Sequence, residues 1–129
     1  MVAEYTEEDF VESIYENVYM SSVRGVITIL KQPPGRNPRK SLVEMSEWFL
    51  ALSQEDRAMA VRVMCQVADS AVFGFLCVLD GARPITDGFS REPVLTIAGE
   101  GEEIVISPDK DLHDYFRATV DERNEIPEI

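Results

Sequence analysis

Val63-Met-Cys-Gln-Val-Ala-Asp-Ser-Ala-Val-Phe-Gly-Phe-Leu-Cys-Val-Leu79, closed by Asp80-Gly81, is the most apolar stretch of the chain and decides how the rest is read. Its 17 residues fall short of the ~20 that span a bilayer, and Gln66, Asp69 and Ser70 interrupt it, so a membrane span is not expected. It reads as the second half of a long helix capped by Ser53-Gln54-Glu55-Asp56, where a serine hydroxyl can meet the first-turn amides. Ala58, Val61, Met64 and Cys65 give the first half an apolar face. After Val63 the helix is apolar on nearly every side, which predicts that this half is the central, buried element. Gly81 supplies the left-handed residue that ends it.

Upstream, Thr6 followed by Glu7, Glu8 and Asp9 opens a helix, with a capping hydroxyl and acids set against the positive end of the helix dipole. Phe10, Val11, Ile14, Tyr15 and Val18 recur at helical spacing as its inward face, opposite Glu12, Glu16 and Asn17. Residues 21–30 are β-branched around Gly25 and read as helix or strand, the helix preferred, with Val23, Val26, Ile27 and Leu30 inward. Three prolines and a glycine make residues 31–40 a loop, and its four bases are the only basic island in the chain. From Ser41 a further helix follows with Leu42, Met45, Phe49 and Leu52 inward and Trp48 at its edge.

Beyond Gly81 the chain turns from helix to turn-rich sequence at residues 84–91, with Asp87-Gly88 inside it. Val94-Leu95-Thr96-Ile97 and Ile104-Val105-Ile106 then read as short strands around Gly99-Glu-Gly101, a β-hairpin. Ser107-Pro108-Asp109 opens a last helix with Leu112, Tyr115, Phe116 and Val120 inward, and residues 122–129 form an acidic tail expected to be loose. The expected fold is α+β and mainly α: about four helices in one domain over residues 1–129, with a small β-hairpin between the third helix and the last.

Composition narrows the function classes. At 129 residues, 45% hydrophobic and 28% charged, the chain has the make-up of one packed globular domain. The net charge is −12, unevenly spread: residues 1–20 carry six acids and no base, residues 21–99 nine bases and eight acids, and residues 100–129 ten acids and three bases. Acid at both ends repels nucleic-acid phosphates and anionic lipid heads and attracts basic proteins, so a basic protein partner is expected and direct nucleic-acid or membrane binding is not. Glu100, Glu102, Glu103, Asp109 and Asp111, together with the N-terminal acids, are the candidate contact surface. Tyr5, Tyr19 and Phe89 are candidate aromatic anchors. The acidic N-terminus lacks the basic and apolar regions of a secretory signal. Cys65 and Cys77 fall in one helix roughly 18 Å apart, too far to pair. Both read as buried free thiols of a reducing, cytoplasmic compartment.

Three residues are candidate buried polar groups. Asp69, in so apolar a helix, needs a cationic partner, and Ser70 with Arg24 or Arg83 could provide for it. His113 is the only histidine, so any histidine chemistry passes through it. Asp109 lies one helical turn before it and Asp114 directly after, yet no serine or cysteine stands in a nucleophile motif, and no catalytic residue is assigned. Two separated cysteines and one histidine do not make a zinc site. The acids from Glu100 to Asp111 lack the spacing of an EF-hand loop, and Gly99-Glu-Gly-Glu-Glu lacks the lysine and later glycine of a phosphate cradle. Neither a metal nor a cofactor is expected.

Phe73-Gly-Phe-Leu-Cys-Val-Leu-Asp-Gly81, a hairpin, and Leu112-His-Asp-Tyr-Phe116 together resemble small acidic bacterial immunity proteins, encoded beside polymorphic or contact-dependent toxins. The resemblance covers roughly residues 69–116 and involves no catalytic motif. It implies a cytosolic antitoxin that covers the active site of a toxin, often a basic nuclease, with acidic and aromatic groups. No individual binding residue carries over. The leading expectation is a non-enzymatic protein-binding domain. Two alternatives stay open: a small enzyme or ligand-binding domain with Asp69, Arg83, Asp87 and His113 around a pocket, and a structural or oligomeric subunit, a homodimer included.

Overall fold

A computed structural model of the chain describes residues 4–88, 91–108 and 110–129. The first helix is α1 (Glu7–Ile14), opened by the side-chain cap expected at Thr6, which proves to be half of a capping box: the Asp9 amide donates to the Thr6 hydroxyl at 3.1 Å, and the Thr6 amide donates back to the Asp9 carboxylate at 2.9 Å. It does not stop at Ile14. A π-helical segment over Tyr15–Met20 carries it directly into α2 (Ser21–Lys31), so residues 21–30 are helix rather than strand. The wider π turn moves the buried face to Tyr15, Tyr19 and Met20, and Val18, expected inward, is turned out to solvent. Val26 is likewise exposed, while Val23, Ile27 and Leu30 are buried.

The proline loop leads to α3 (Lys40–Ala51), which packs on α2. Its buried face is Ser46 and Phe49; Met45, expected inward, is exposed. Ser46 suits its place by size and chemistry, because its hydroxyl donates to the Leu30 carbonyl at 2.6 Å and satisfies one of the acceptors left free at the end of α2. The long helix is α4 (Gln54–Leu79), started as expected by the Ser53 hydroxyl, which accepts from the Asp56 amide, and stopped by Gly81 at φ +78°.

Val61, Leu76, Cys77 and Leu79 of α4 are buried, but the helix is not the sheathed central element that its sequence predicts. Val67 and Phe75 are each 64% exposed, Val63 57% and Met59 52%. Length and apolarity alone would let α4 cross a membrane, its best 18-residue window having mean hydropathy 1.6, with 28% of that window buried. Here it lies against α2 and α5 as part of the fold.

The hairpin pairs β1 (Thr96–Gly99) with β2 (Glu102–Val105), Gly99 opposite Glu102. The two linking residues, Glu100 at φ +51° and Gly101 at φ +78°, are both left-handed, as the primed two-residue turn of a hairpin requires. At its base the buried Ser107 hydroxyl accepts from the Leu95 amide at 3.0 Å. The last helix, α5 (Leu112–Arg123), buries Leu112 and Phe116, leaves Tyr115, expected inward, 38% exposed, and ends at the left-handed Asn124.

Four helices, with α1 to α2 counted as one rod, and a hairpin between the third and the last make the architecture α+β and mainly α. Two buried clusters hold it together. One joins Val11, Tyr15, Tyr19 and Met20 to Leu76, Leu79, Ile106, Leu112 and Phe116; the other joins Val23, Ile27 and Leu30 to Phe49 and Val61. Ala68 of α4 touches both.

Candidate functional site

The seam between α4 and α5 holds the polar groups that the sequence marks as suspect. Asp69 is buried and ion-paired, but its partner is Arg117 of α5, at 2.7 Å, rather than Arg24 or Arg83. Ser70 does not contribute, since its hydroxyl accepts from Gln66. The bond to Asp69 pushes the Arg117 guanidinium further up from its already high range. That guanidinium also lies over the Phe73 ring, 4.7 Å from its centroid, and Phe73 meets the His113 ring edge to face at 5.7 Å. His113 Nδ1 in turn pairs with Asp80, just past the end of α4, and its other nitrogen lies 3.6 Å from Asp114.

Asp80 does more than end a helix. Its carboxylate accepts from the backbone amides of Leu112 at 3.1 Å and His113 at 2.9 Å, and so caps α5 from across the seam. The residue in the usual capping position, Asp111, makes no side-chain cap. The order along the seam is therefore Asp69, Arg117, Phe73, His113, Asp80, with Asp69 and Phe73 four apart on α4 and His113 and Arg117 four apart on α5.

Asp80, just past the end of α4, stands eleven residues beyond Asp69, about 16 Å, and each holds a different side chain of α5. Asp69 and His113 do not meet, Arg83 lies exposed with a guanidinium nitrogen 3.0 Å from where a Cβ on Gly74 would be, and Asp87 is exposed. Asp69 and His113 are thus held by different partners, and the cleft beside Asp69 is lined by none of Arg83, Asp87 and His113. No serine or cysteine among the described residues is hydrogen-bonded to His113, and no group of three His, Cys, Asp or Glu side chains is placed to hold a metal ion. Among the described residues one buried side-chain acceptor is left over: Asp69 Oδ1 has no partner and lies beside a cleft of about 220 Å³ that Tyr19 and Cys65 also line.

The buried aromatics and thiols are held neutral. Burial pushes the hydroxyls of Tyr15 and Tyr19 up to about 12, and it pushes the Cys65 and Cys77 thiols up as well. Both cysteines are free, Cys77 buried and Cys65 half-buried. Tyr19, expected as an exposed anchor, is core: its ring packs edge-on against Phe116.

The acidic candidates lie elsewhere. Glu100, Glu102 and Glu103 are exposed at the tip of the hairpin, and Asp111 is exposed before α5; Asp109 and Phe89 lie outside the described residues. The fold brings one N-terminal acid, Glu4, to the same place, whereas Glu8 and Glu12 line a cleft against α5. Glu4 and Tyr5 line one groove with Ile97, Ala98, Gly99, Glu100, Glu102 and Ile104, a volume of about 640 Å³. Its floor is apolar and its rim is carboxylate. Lys110 bonds Glu7 at 3.0 Å; a hydrogen bond from its own backbone amide, with Lys110, holds the Glu7 carboxyl below its usual range. Among the described residues no cation pairs with Glu4, Glu100, Glu102 or Glu103.

A second surface is one that the sequence does not mark. Ser22, Val23 and Val26 of α2 and Val63, Met64, Val67 and Ala68 of α4 line an uncharged groove of about 330 Å³. Periodicity could not single it out, because α4 is apolar on almost every side. Comparison with known proteins finds no matching family model, no matching curated protein and no matching solved structure.

Proposed function

We propose that the chain is a non-enzymatic protein-binding domain whose acidic groove receives a basic segment of another protein. The observation that carries this reading is the meeting of Glu4 with Glu100 and Glu102 around the apolar floor of Tyr5, Ile97 and Ile104. Carboxylates at the rim set the encounter rate and select for positive charge, while the apolar floor gives an inserted side chain area to bury. Among the described residues no further strand pairs with the outer edges of the hairpin, so an extended segment can also bond along the backbone. A toxin-neutralising immunity protein of the cytoplasm, with a basic nuclease as its partner, is the specific form of this proposal; it rests on the resemblance and on the acidic charge of both chain ends.

The test is capture of partners from the host lysate by the intact chain and by a Glu100→Lys, Glu102→Lys, Glu103→Lys variant, identified by mass spectrometry. The expected result is a basic protein bound by the intact chain at low salt, released at about 0.5 M salt, where exposed charges are screened beyond ~4 Å, and missed by the variant. A partner held equally by both chains would place the binding surface elsewhere.

A further inference from the structure

We propose that the cleft between α4 and the segment following α5 binds a small amino acid in its zwitterionic form, with the ammonium group at Asp69 and the carboxylate at Arg62. Arg62, Cys65, Gln66 and Asp69 of α4 line this cleft. At about 100° per residue the four fall within roughly 100° of the helix circumference. Arg62 and Asp69 stand almost in line, two turns or about 10 Å apart along the axis. The opposite wall comes from beyond the end of α5, where Glu125 and Ile126 follow the left-handed Asn124.

The two ends of the cleft have opposite needs. Tyr19 and Asp69 are buried in it, whereas Arg62, Gln66 and Glu125 stand exposed at its rim. The Asp69 side chain is nine-tenths buried; its Oδ2 takes Arg117 at 2.7 Å, and its Oδ1 has no partner among the described residues. A buried carboxylate oxygen without a donor is costly, and a charged N–H group is the donor that offsets the cost most fully. Arg62 lacks the reverse: among the described residues its guanidinium pairs with no carboxylate.

Charge fixes the class of ligand. Asp69 and Glu125 are negative, while Arg62 and the Arg117 that holds Asp69 are positive, so the four cancel. Tyr19 and Cys65 add no charge, because burial raises both above their usual ranges. A lone cation or a lone anion would leave a net charge in this partly buried place, whereas a zwitterion leaves none and sets each end against its opposite. The Tyr15 hydroxyl donates to Glu125 at 3.3 Å, which steadies a second carboxylate for the ammonium group. Val120 and Ile126 give the carbon chain apolar walls. The volume, about 220 Å³, equals the share of roughly seven waters, room for an amino acid of about five to seven heavy atoms. No residue of this cleft belongs to the acidic groove, so the two sites stand or fall separately.

The experiment is an NMR titration of the isotope-labelled full chain with glycine, β-alanine and γ-aminobutyrate, which carry the same two charges on spacers of increasing length. Propylamine and butyrate, with one charge each, are the controls. At least one amino acid should bind saturably with a Kd of ~1 mM or tighter, within the reach of so few atoms. It should shift the side-chain amides of Gln66 and Asn124 and leave the hairpin unshifted, and the controls should bind at least about tenfold more weakly. Arg62→Gln and Glu125→Gln, both at the exposed rim, should each weaken binding about tenfold or more with an unchanged far-UV circular dichroism spectrum. Asp69 is kept intact, because its substitution would also break the pair with Arg117. The proposal is overturned if none of the three amino acids saturates by about 50 mM, which leaves a cleft for water alone. It is equally overturned if propylamine or butyrate binds as tightly as the amino acid, or if either variant leaves the binding unchanged.

Discussion

Replacing Asp80 removes three contacts that hold α5 against α4. In Asp80→Ala the amides of Leu112 and His113 lose their acceptor inside the seam and the His113 ring loses its partner. Loss of an N-cap side chain costs about 1 kcal/mol, and each amide left unsatisfied in a buried place costs ~1–3 kcal/mol more. Leu112 is fully buried, whereas the His113 ring is one-fifth exposed and water can partly replace what it loses. The expected loss is thus about 3 kcal/mol, or a drop in Tm of roughly 12 °C for a chain of this length.

Asp80→Asn keeps the shape and one accepting oxygen but loses the negative charge at the N-terminus of α5, so it should cost about 1 kcal/mol. Urea unfolding followed by far-UV circular dichroism gives both values, provided that the slope against denaturant is unchanged. A double-mutant cycle with His113→Ala should show a coupling near 1 kcal/mol. If Asp80→Ala costs less than about 0.5 kcal/mol, the size of an ordinary surface substitution, or if Asp80→Asn is as damaging as Asp80→Ala, the carboxylate does not organise the seam.

Other perturbations follow from single observations. Gly25 is exposed within α2, and a methyl group placed on its Cα would meet nothing within 4 Å, so Gly25→Ala should raise stability by up to about 1 kcal/mol in the same urea assay. Tyr15 and Tyr19 ionise in the fold only near pH 12 against 10 for a free phenol. Their neutral forms therefore favour folding fully below pH 10, and that contribution fades as pH rises from 10 through 12; an alkaline titration read at the phenolate absorbance should show unfolding set in across this window, and Tyr15→Phe should reduce the slope. Cys65 and Cys77, raised by burial, should react slowly with a thiol reagent at pH 8 in the native chain and at once in urea. Fast native labelling of Cys77 would contradict its placement.

The elements were legible because their signals are local. Thr6 and Ser53 announce helix starts through their own hydroxyls, the prolines after Gln32 exclude helix, and Glu100-Gly101 allows the tight turn. What could not be read were the pairings that depend on distant chain. A lone acid in α4 says that it needs a cation, but Arg24, Arg83 and Arg117 are equivalent choices until α5 is laid against α4. Asp80 read as a stop signal; its service to α5 became apparent only with the two helix ends side by side.

The exposed face of α4 was hidden for the opposite reason. Its sequence has apolar residues all round, which predicts burial all round, yet a domain of this size supplies neighbours for only some of those sides. The acidic groove was half visible: the charge count put acid at both chain ends, and the fold places Glu4 against the hairpin tip. Val18 and Met45 were misplaced because a fixed helical period carries no information about a π turn or about a serine chosen for close packing.

The π segment also makes the rod tolerant of a change that would ruin an ordinary helix. Six residues wound with wider turns hold about one residue more than α-helical winding would use to reach the same phase, and each residue of an α-helix turns the chain by about 100°. Deleting the exposed Asn17 would let regular α-helix run from Glu7 to Lys31 while Val11 still faces α5 and Val23 and Ile27 still face α3. The same deletion two turns further along, at Arg24, would swing Ile27 and Leu30 out of their cluster. Tyr15–Met20 is thus the place where this helix can lose a residue in length without losing its register.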